Sequence, residues 1–173
     1  CRYPYSRVAE LEAMIAKKEG VSPDMVLVTG GSNEALRATG RYFGMEQKEI
    51  IACKPTYLAL LTYAKDFGCD INWVPLDRDL RYDLNEISRR TSKNTSMVFI
   101  CNPNNPTGTM VGSAELEDFC VSTSKQTCVF VDEAYYDYSI LDGYPTMIKL
   151  VKKGHNIIVS RTFSKIYGLA GVR

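Results

Sequence analysis

A chain of 173 residues with 45% apolar content suits one domain whose core buries about two thirds of the surface the unfolded chain would expose. Lysine and arginine total 21 against 20 aspartates and glutamates, so the chain lacks the charge excess that nucleic-acid or anionic-membrane partners require. No apolar run approaches the ~18 residues of a membrane span, and the opening CRYPYSRVAE lacks the apolar centre of a signal peptide. A soluble, reducing compartment, the cytoplasm by default, is the expectation. The six cysteines show no C-x-x-C spacing, and Cys53, Cys101 and Cys128 fall in apolar runs, which reads as reduced, buried thiols.

In chain order, apolar runs rich in β-branched residues recur as MVLVT (25–29), EIIAC (49–53), DINWV (70–74), SMVFI (96–100), CVFVD (128–132) and NIIVS (156–160). They lack strict alternation, so they are expected to be strands covered on both faces. Between them lie segments of helical period: Val8, Leu11, Met14 and Ile15; Leu36 to Phe43; Leu58 to Phe67; Leu84 to Ser88; Leu116 to Val121. Strands alternating with helices imply βαβ units, a mainly parallel sheet and a three-layer α/β/α domain. Ligands of such sheets bind at the carboxyl ends of the strands, which directs attention to the polar groups just after each run.

After the first run, TGGSNEAL places Ser32 and Asn33 at a helix start behind Gly30 and Gly31. That is either an anion site built on free N–H groups or an ordinary capped turn. CKPTYLAL puts Tyr57 behind a rigid proline, as a packing residue or as an aromatic face for a flat ring. NPNNPTG constrains the loop after SMVFIC so strongly that one of Asn102, Asn104 and Asn105 is expected to be aimed at a ligand. Asp132 follows four apolar residues and needs a cationic or hydrogen-bonding partner; Glu133 and Tyr135 come next. Lys165 stands on the turn after the last run, between Thr162 and Ser164 on one side and Arg173 on the other. His155, the only histidine, is read as solvent-exposed, so neither a histidine-based triad nor a zinc cluster is expected. The charge run DRDLRYD (77–83) is read as a solvated connection, and Trp73 as core.

Five ordered motifs, GGSNE, PTY, NPNNPTG, DEAY and SRTFSKIYGLAGVR, make the chain resemble the large domain of the class I/II pyridoxal-phosphate aminotransferases. Those enzymes have the fold type I architecture, and the likeness is greatest to the histidinol-phosphate aminotransferase branch. The resemblance runs from RYP at residues 2–4 to Arg173. It implies a pyridoxal 5'-phosphate cofactor joined to Lys165 as a Schiff base, with Lys165 also shuttling the proton. It implies that Asp132 pairs with the pyridine nitrogen, that Asn105 and Tyr135 hydrogen-bond the ring's phenolic oxygen, and that Tyr57 stacks on the ring. Ser32, Asn33, Thr162, Ser164 and Arg173 would hold the phosphate, and Tyr3 would reach the cofactor of the partner subunit in a homodimer. The implied reaction moves an amino group between an amino acid or amino-phosphate and a 2-oxo acid.

The family pattern continues well past Arg173 into a small C-terminal domain, and an N-terminal arm precedes RYP. Residues 1–173 are therefore expected to be a cofactor-binding large domain cut from a longer enzyme, inactive alone. Alternatives are a pyridoxal-phosphate lyase or decarboxylase with the same cofactor shell, and a noncatalytic aminotransferase-like domain. A nucleotide-binding Rossmann domain comes last, for want of its glycine fingerprint. Nothing in the sequence reads the substrate side chain.

Overall fold

The computed structural model describes residues 5–139 and 144–171. Five of the six apolar runs form strands: β1 (Glu49–Lys54), β2 (Asp70–Pro75), β3 (Thr95–Cys101), β4 (Cys128–Asp132) and β5 (Ile157–Ser160). All pair in parallel, in the order β2-β1-β3-β4-β5. The helices are α1 (Tyr5–Glu19), α2 (Ser32–Gly44), α3 (Ala59–Asp66), α4 (Leu84–Arg90), α5 (Ser113–Thr123), α6 (Tyr136–Ser139) and α7 (Ile148–Lys152).

Successive strand side chains point to opposite faces, and both faces are covered. Ile51, Val98, Val129 and Val131 pack with Ile87, Leu116, Phe119 and Leu150 from α4, α5 and α7. Ile50, Ala52, Met97, Phe99 and Phe130 pack with Leu36, Leu60, Leu61 and Ala64 from α2 and α3. The three-layer expectation is met, and it explains why β3 is buried at every residue and reads as a continuous apolar run. Phe99 and Phe130 stack across the second face at 5.7 Å between centroids; full burial of each ring is worth about 1.5–3 kcal/mol.

The chain leaves β1 toward β2 on one side and returns on the other, through β3, β4 and β5. The strand order therefore reverses between β1 and β3, and the crevice beyond their carboxyl ends is where an open α/β sheet takes a ligand. The loops holding Tyr57 and Asn105 both enter that crevice.

Four expectations need correction. The run 25–29 is not a strand: Met25 closes a 3-10 turn (Pro23–Met25), Val26 is extended, and residues 26–29 have no ladder partners. Among the described residues no strand lies beyond β5 to pair with it, and Leu27 is accordingly 76% exposed. An apolar β-branched run becomes a strand only where a neighbour completes its hydrogen bonds. His155 is half-buried rather than solvated, its Nδ1 lying 3.2 Å from the Ser124 hydroxyl. The connection 77–83 is solvated at Asp77, Arg78, Asp79 and Arg81 but buries Tyr82. Trp73 is half-buried against the second face rather than fully core, with Lys54 Nζ 5.7 Å from its ring centroid.

The described cysteines are free and buried. Burial pushes the thiols of Cys53, Cys101, Cys120 and Cys128 up to about 12, which leaves them inert at neutral pH. No helix among the described residues is long and apolar enough to cross a membrane.

Helices α2 and α3 touch at Gly40. A Cβ there would lie 2.5 Å from the Leu60 carbonyl oxygen and 3.2 Å from Tyr63 Cβ. Alanine improves helix propensity by about 1 kcal/mol, whereas forcing atoms into a packed contact costs about 1–3 kcal/mol. Since the nearest atom is backbone, the clash wins. Gly40→Ala is expected to lower the urea midpoint, against the gain that propensity alone would give.

Candidate active site

The register of the sheet brings Cys101, Asp132 and Ser160 side by side at the ends of β3, β4 and β5. The ladder runs one step further, with Asn102 N–H donating to the Asp132 carbonyl at 2.9 Å and Glu133 N–H to the Ser160 carbonyl at 2.9 Å. Three loops thus leave the sheet from one level.

Asp132 is 2% exposed. Its Oδ1 accepts from the Ser160 hydroxyl at 2.6 Å and from Ala134 N–H at 3.2 Å. Both hydrogen bonds recorded for the carboxylate land on that oxygen, leaving Oδ2 without a protein donor among the described residues. Burial holds the carboxyl above its ordinary proton affinity; the two donors and the positive charge of Lys165 pull the other way and do not cancel it. The protein alone leaves this carboxylate under-compensated.

The asparagines of the NPNNPTG loop divide clearly. Asn102 Nδ2 donates to the Tyr144 hydroxyl at 2.9 Å, and its Oδ1 accepts from Val111 N–H at 2.9 Å. Asn104 Nδ2 donates to the Pro55 carbonyl at 3.1 Å and to Thr107 Oγ1 at 2.8 Å. The Asn105 side chain makes no hydrogen bond among the described residues, is half-buried, and faces an open cleft of about 400 Å³ with Gly108, Met110, Tyr135 and Tyr138. Among the described residues one amide of the three is therefore left without a protein partner at the cleft, and it is Asn105.

Lys165 lies on an exposed turn closed by Gly168 N–H to the Lys165 carbonyl at 3.0 Å and Leu169 N–H to the Phe163 carbonyl at 3.0 Å. Its Nζ sits 5.0 Å from the centroid of the Tyr135 ring, a cation–π distance. The Tyr135 phenol beside the amine raises its proton affinity above the ordinary lysine value, and the slight burial of the turn does not reverse that. Lysine at this position is an ammonium while nothing else is bound.

The remaining sequence candidates are less closely gathered. Tyr57 is 36% exposed at the end of the β1 loop. Ser32 and Asn33 open α2 after Gly31, which holds φ 87°, a left-handed conformation suited to glycine. The carboxylate of Glu34 accepts from Gly30 N–H at 2.5 Å, so an anion from the chain itself already sits at this helix start. Thr162 Oγ1 accepts from Ser164 N–H at 3.1 Å, shaping the lysine turn. Tyr135 links the set, lining the cleft with Asn105 and standing beside Lys165, whose charge is felt at Asp132; neither Asp132 nor Lys165 lines that cleft, and neither Ser32 nor Asn33 makes a hydrogen bond to the lysine turn. Tyr3 and Arg173 lie outside the described residues. Among those residues no group of three His, Cys, Asp or Glu side chains is placed to hold a metal ion.

Two supports escaped the sequence. Glu133, 3% exposed, turns away from Asp132 and accepts from Met147 N–H and the Thr146 hydroxyl, both at 2.7 Å, and from Arg161 Nε at 3.0 Å. The Arg161 guanidinium stacks 3.9 Å over the Tyr136 ring and reaches Glu19 of α1 at 3.7 Å. The second support is a buried network around Tyr82. The acidic residue in DEAY and the arginine in SRTF were visible as a pair of opposite charges, but their meeting depends on β4 and β5 being neighbours.

A family model for aminotransferase class I and II matches residues 2–173. The chain is 38% identical over 171 residues to the histidinol-phosphate aminotransferase of an Anaeromyxobacter species, covering 99% of this chain and 47% of that protein. It is 39% identical to histidinol-phosphate aminotransferase 2 of Bacillus cereus, covering 99% and 46%. The chain thus spans about half the length of the curated relatives it matches. The crystal structure of histidinol-phosphate aminotransferase from Sinorhizobium meliloti in complex with pyridoxal-5'-phosphate superposes with a TM-score of 0.86 at 27% identity, over 99% of this chain and 46% of that one.

The raised proton affinity of Asp132 fixes a sign. A carboxyl harder to ionise folded than unfolded contributes stability that is present below its ordinary value of 3.8 and is lost as pH rises through the folded value. Asp132→Asn removes that penalty and keeps an acceptor for Ser160. In cofactor-free protein it is expected to raise the urea midpoint at pH 7, with the gain shrinking toward pH 3.8; equal midpoints at pH 7 would refute the sign.

Proposed function

Because the chain belongs to the class I and II aminotransferase family, we propose that it is the cofactor-binding large domain of a pyridoxal-phosphate-dependent aminotransferase. The reaction proposed moves an amino group between an amino acid or amino-phosphate of the histidinol-phosphate kind and a 2-oxo acid. One observation carries the reading: Asp132 is buried beside a lysine, yet keeps one oxygen free of protein donors and is short of positive charge. A protonated ring nitrogen is the partner that site lacks.

The other groups fit the same ligand. The Asn105 amide and the Tyr135 phenol stand at the cleft where a ring oxygen would need donors. Tyr57 presents a half-exposed face suited to stacking on a ring. Ser32, Asn33, Thr162 and Ser164, with Arg173, are the proposed phosphate contacts, and Tyr3 is proposed to act across a homodimer. Pyridoxal phosphate, when bound, supplies an aldehyde for the amine and a ring that draws electrons from the substrate's Cα. Lys165 Nζ would be the amine that holds that aldehyde, water leaving as the two condense, and when freed by a substrate amine it would carry a proton to and from Cα. Because Tyr135 raises the proton affinity of Lys165, the amine becomes a base at neutral pH only when a further positive charge is set beside it. Asp132 keeps the ring nitrogen protonated, and its burial strengthens that interaction.

The amine assignment and the reaction class are tested on the full-length protein. With pyridoxal phosphate, the wild type is expected to show a visible absorbance band that borohydride converts to a covalent adduct, placed on Lys165 by mass spectrometry. Lys165→Ala is expected to form no such adduct and to transfer amino groups to 2-oxoglutarate about 10²–10⁴-fold more slowly. An adduct on another residue would sink the assignment, and carbon dioxide release in place of amino transfer would sink the reaction class.

A further inference from the structure

Tyr82 was hidden in the charged connection between β2 and α4, and its hydroxyl has three hydrogen-bonding neighbours beside the crevice. The side chain is 4% exposed. Cys101 N–H donates to its oxygen at 3.1 Å. The Thr56 hydroxyl lies 2.7 Å away and itself donates to Asn104 Oδ1 at 2.9 Å; Tyr82 also lies 3.1 Å from that same oxygen. Each hydroxyl has one proton. With Thr56 donating to Asn104 Oδ1, the single Tyr82 proton has two acceptors in reach, Thr56 Oγ1 and the same Asn104 oxygen, and either choice joins Cys101 N–H, Tyr82, Thr56 and Asn104 in one buried network. Burial raises the proton affinity of the phenol well above the ordinary tyrosine value, so it remains neutral and able to donate.

The position of this chain gives it a purpose. Strands β1 and β3 are paired from Glu49 and Thr95 only as far as Ala52 and Phe99. Beyond that point they separate around the crevice, and no ladder bond ties the loop at 55–57 to the loop at 102–105. Side chains do so instead: Thr56, Tyr82 and Asn104, with Asn104 Nδ2 reaching the Pro55 carbonyl at 3.1 Å. The same connection grips the loop again where the Thr109 hydroxyl donates to the Leu80 carbonyl at 2.6 Å. Thr56 immediately precedes Tyr57, and Asn104 immediately precedes Asn105.

We propose that Tyr82 is a positioning residue: its buried hydroxyl helps set the separation of the two loops and so fixes Tyr57 at the face and Asn105 at the edge of a bound ring. The proposal rests on the reading of those two residues as cofactor contacts. A phenylalanine at 82 would fill the same space, so the hydroxyl, and not the ring, carries the claim. Its removal leaves Cys101 N–H without its acceptor in a buried place and leaves Thr56 with Asn104 alone, a loss that is felt locally.

Tyr82→Phe in the full-length protein separates this from a plain loss of stability when compared with Ile50→Val. Ile50 is fully buried near the opposite end of β1, and such a substitution weakens the fold by a similar small amount. Tyr82→Phe is expected to speed hydrogen exchange in 55–57 and 102–108 with or without pyridoxal phosphate. It is also expected to shift the pH midpoint of the lysine-linked visible band and to lower kcat/KM about tenfold. Ile50→Val is expected to leave all three as in the wild type. Wild-type exchange in both loops of Tyr82→Phe, or equal changes in Ile50→Val, would overturn the proposal. A wild type with no band at all would instead overturn the cofactor reading, and exchange alone would then decide whether Tyr82 holds the loops.

Discussion

Everything at the carboxyl edge of the sheet is organised around one buried carboxylate. Taking an isolated anion out of water costs several kcal/mol even after the protein relaxes, and Asp132 recovers only part of that through Ser160 and Ala134. The residue can occupy its place only because β3, β4 and β5 end level, so that Ser160 lies directly across from it. A shift of either neighbour by one residue would turn every side chain to the other face, exchanging Ser160 for Arg161 or Val159. The two hydrophobic layers that hold these strands in register are therefore also what places the charge.

A second regularity follows from the same alternation. At each strand end two adjacent residues take opposite tasks, one facing the crevice and one facing the body of the protein. Asp132 is directed to the site, and Glu133 to Met147, Thr146 and Arg161. Ser160 supports Asp132, and Arg161 supports Glu133. Asn104 is spent on Pro55 and Thr107, leaving Asn105 free. Thr56 is bound inside while Tyr57 stands half-exposed. At the ends of β4 and β5 the period of two gives neighbouring residues opposite directions; in the turns at 56–57 and 104–105 the hydrogen bonds of Thr56 and Asn104 make the same division.

This pairing accounts for what could be read in the sequence. Strands buried on both faces announce themselves as apolar runs, and the residues after them are legible as candidates because ligands gather there. The run 25–29 has the same composition as β3 but no neighbour to complete its ladder, and composition carries no information about neighbours. Loop composition did not tell which of the three amides was free, and only the family resemblance pointed to Asn105, since the deciding contacts were to Tyr144, Pro55 and Thr107, up to 49 residues distant. Tyr82 was disguised by the charges around it: solvation of Asp77, Arg78, Asp79 and Arg81 says nothing of the one ring that turns inward. Glu133 and Arg161 were visible as charges, but burial of an acid only one residue from another acid has no signal in a single sequence.

The proton affinities at the site fit together in a way that neither residue shows alone. With nothing bound, burial favours the neutral acid at Asp132, and Tyr135 favours the ammonium at Lys165. Both biases run against the proposed chemistry, which needs an anion at Asp132 and a free amine at Lys165. A positive charge brought into the gap lowers both proton affinities at once, and so drives each residue toward its working form. The two groups titrate in opposite senses of charge but the same sense of protons, which lets one cation serve both. On this reading burial on one side and a phenol on the other bias the cofactor-free site away from its working forms, and Lys165 stays an ammonium until a further positive charge is set beside it.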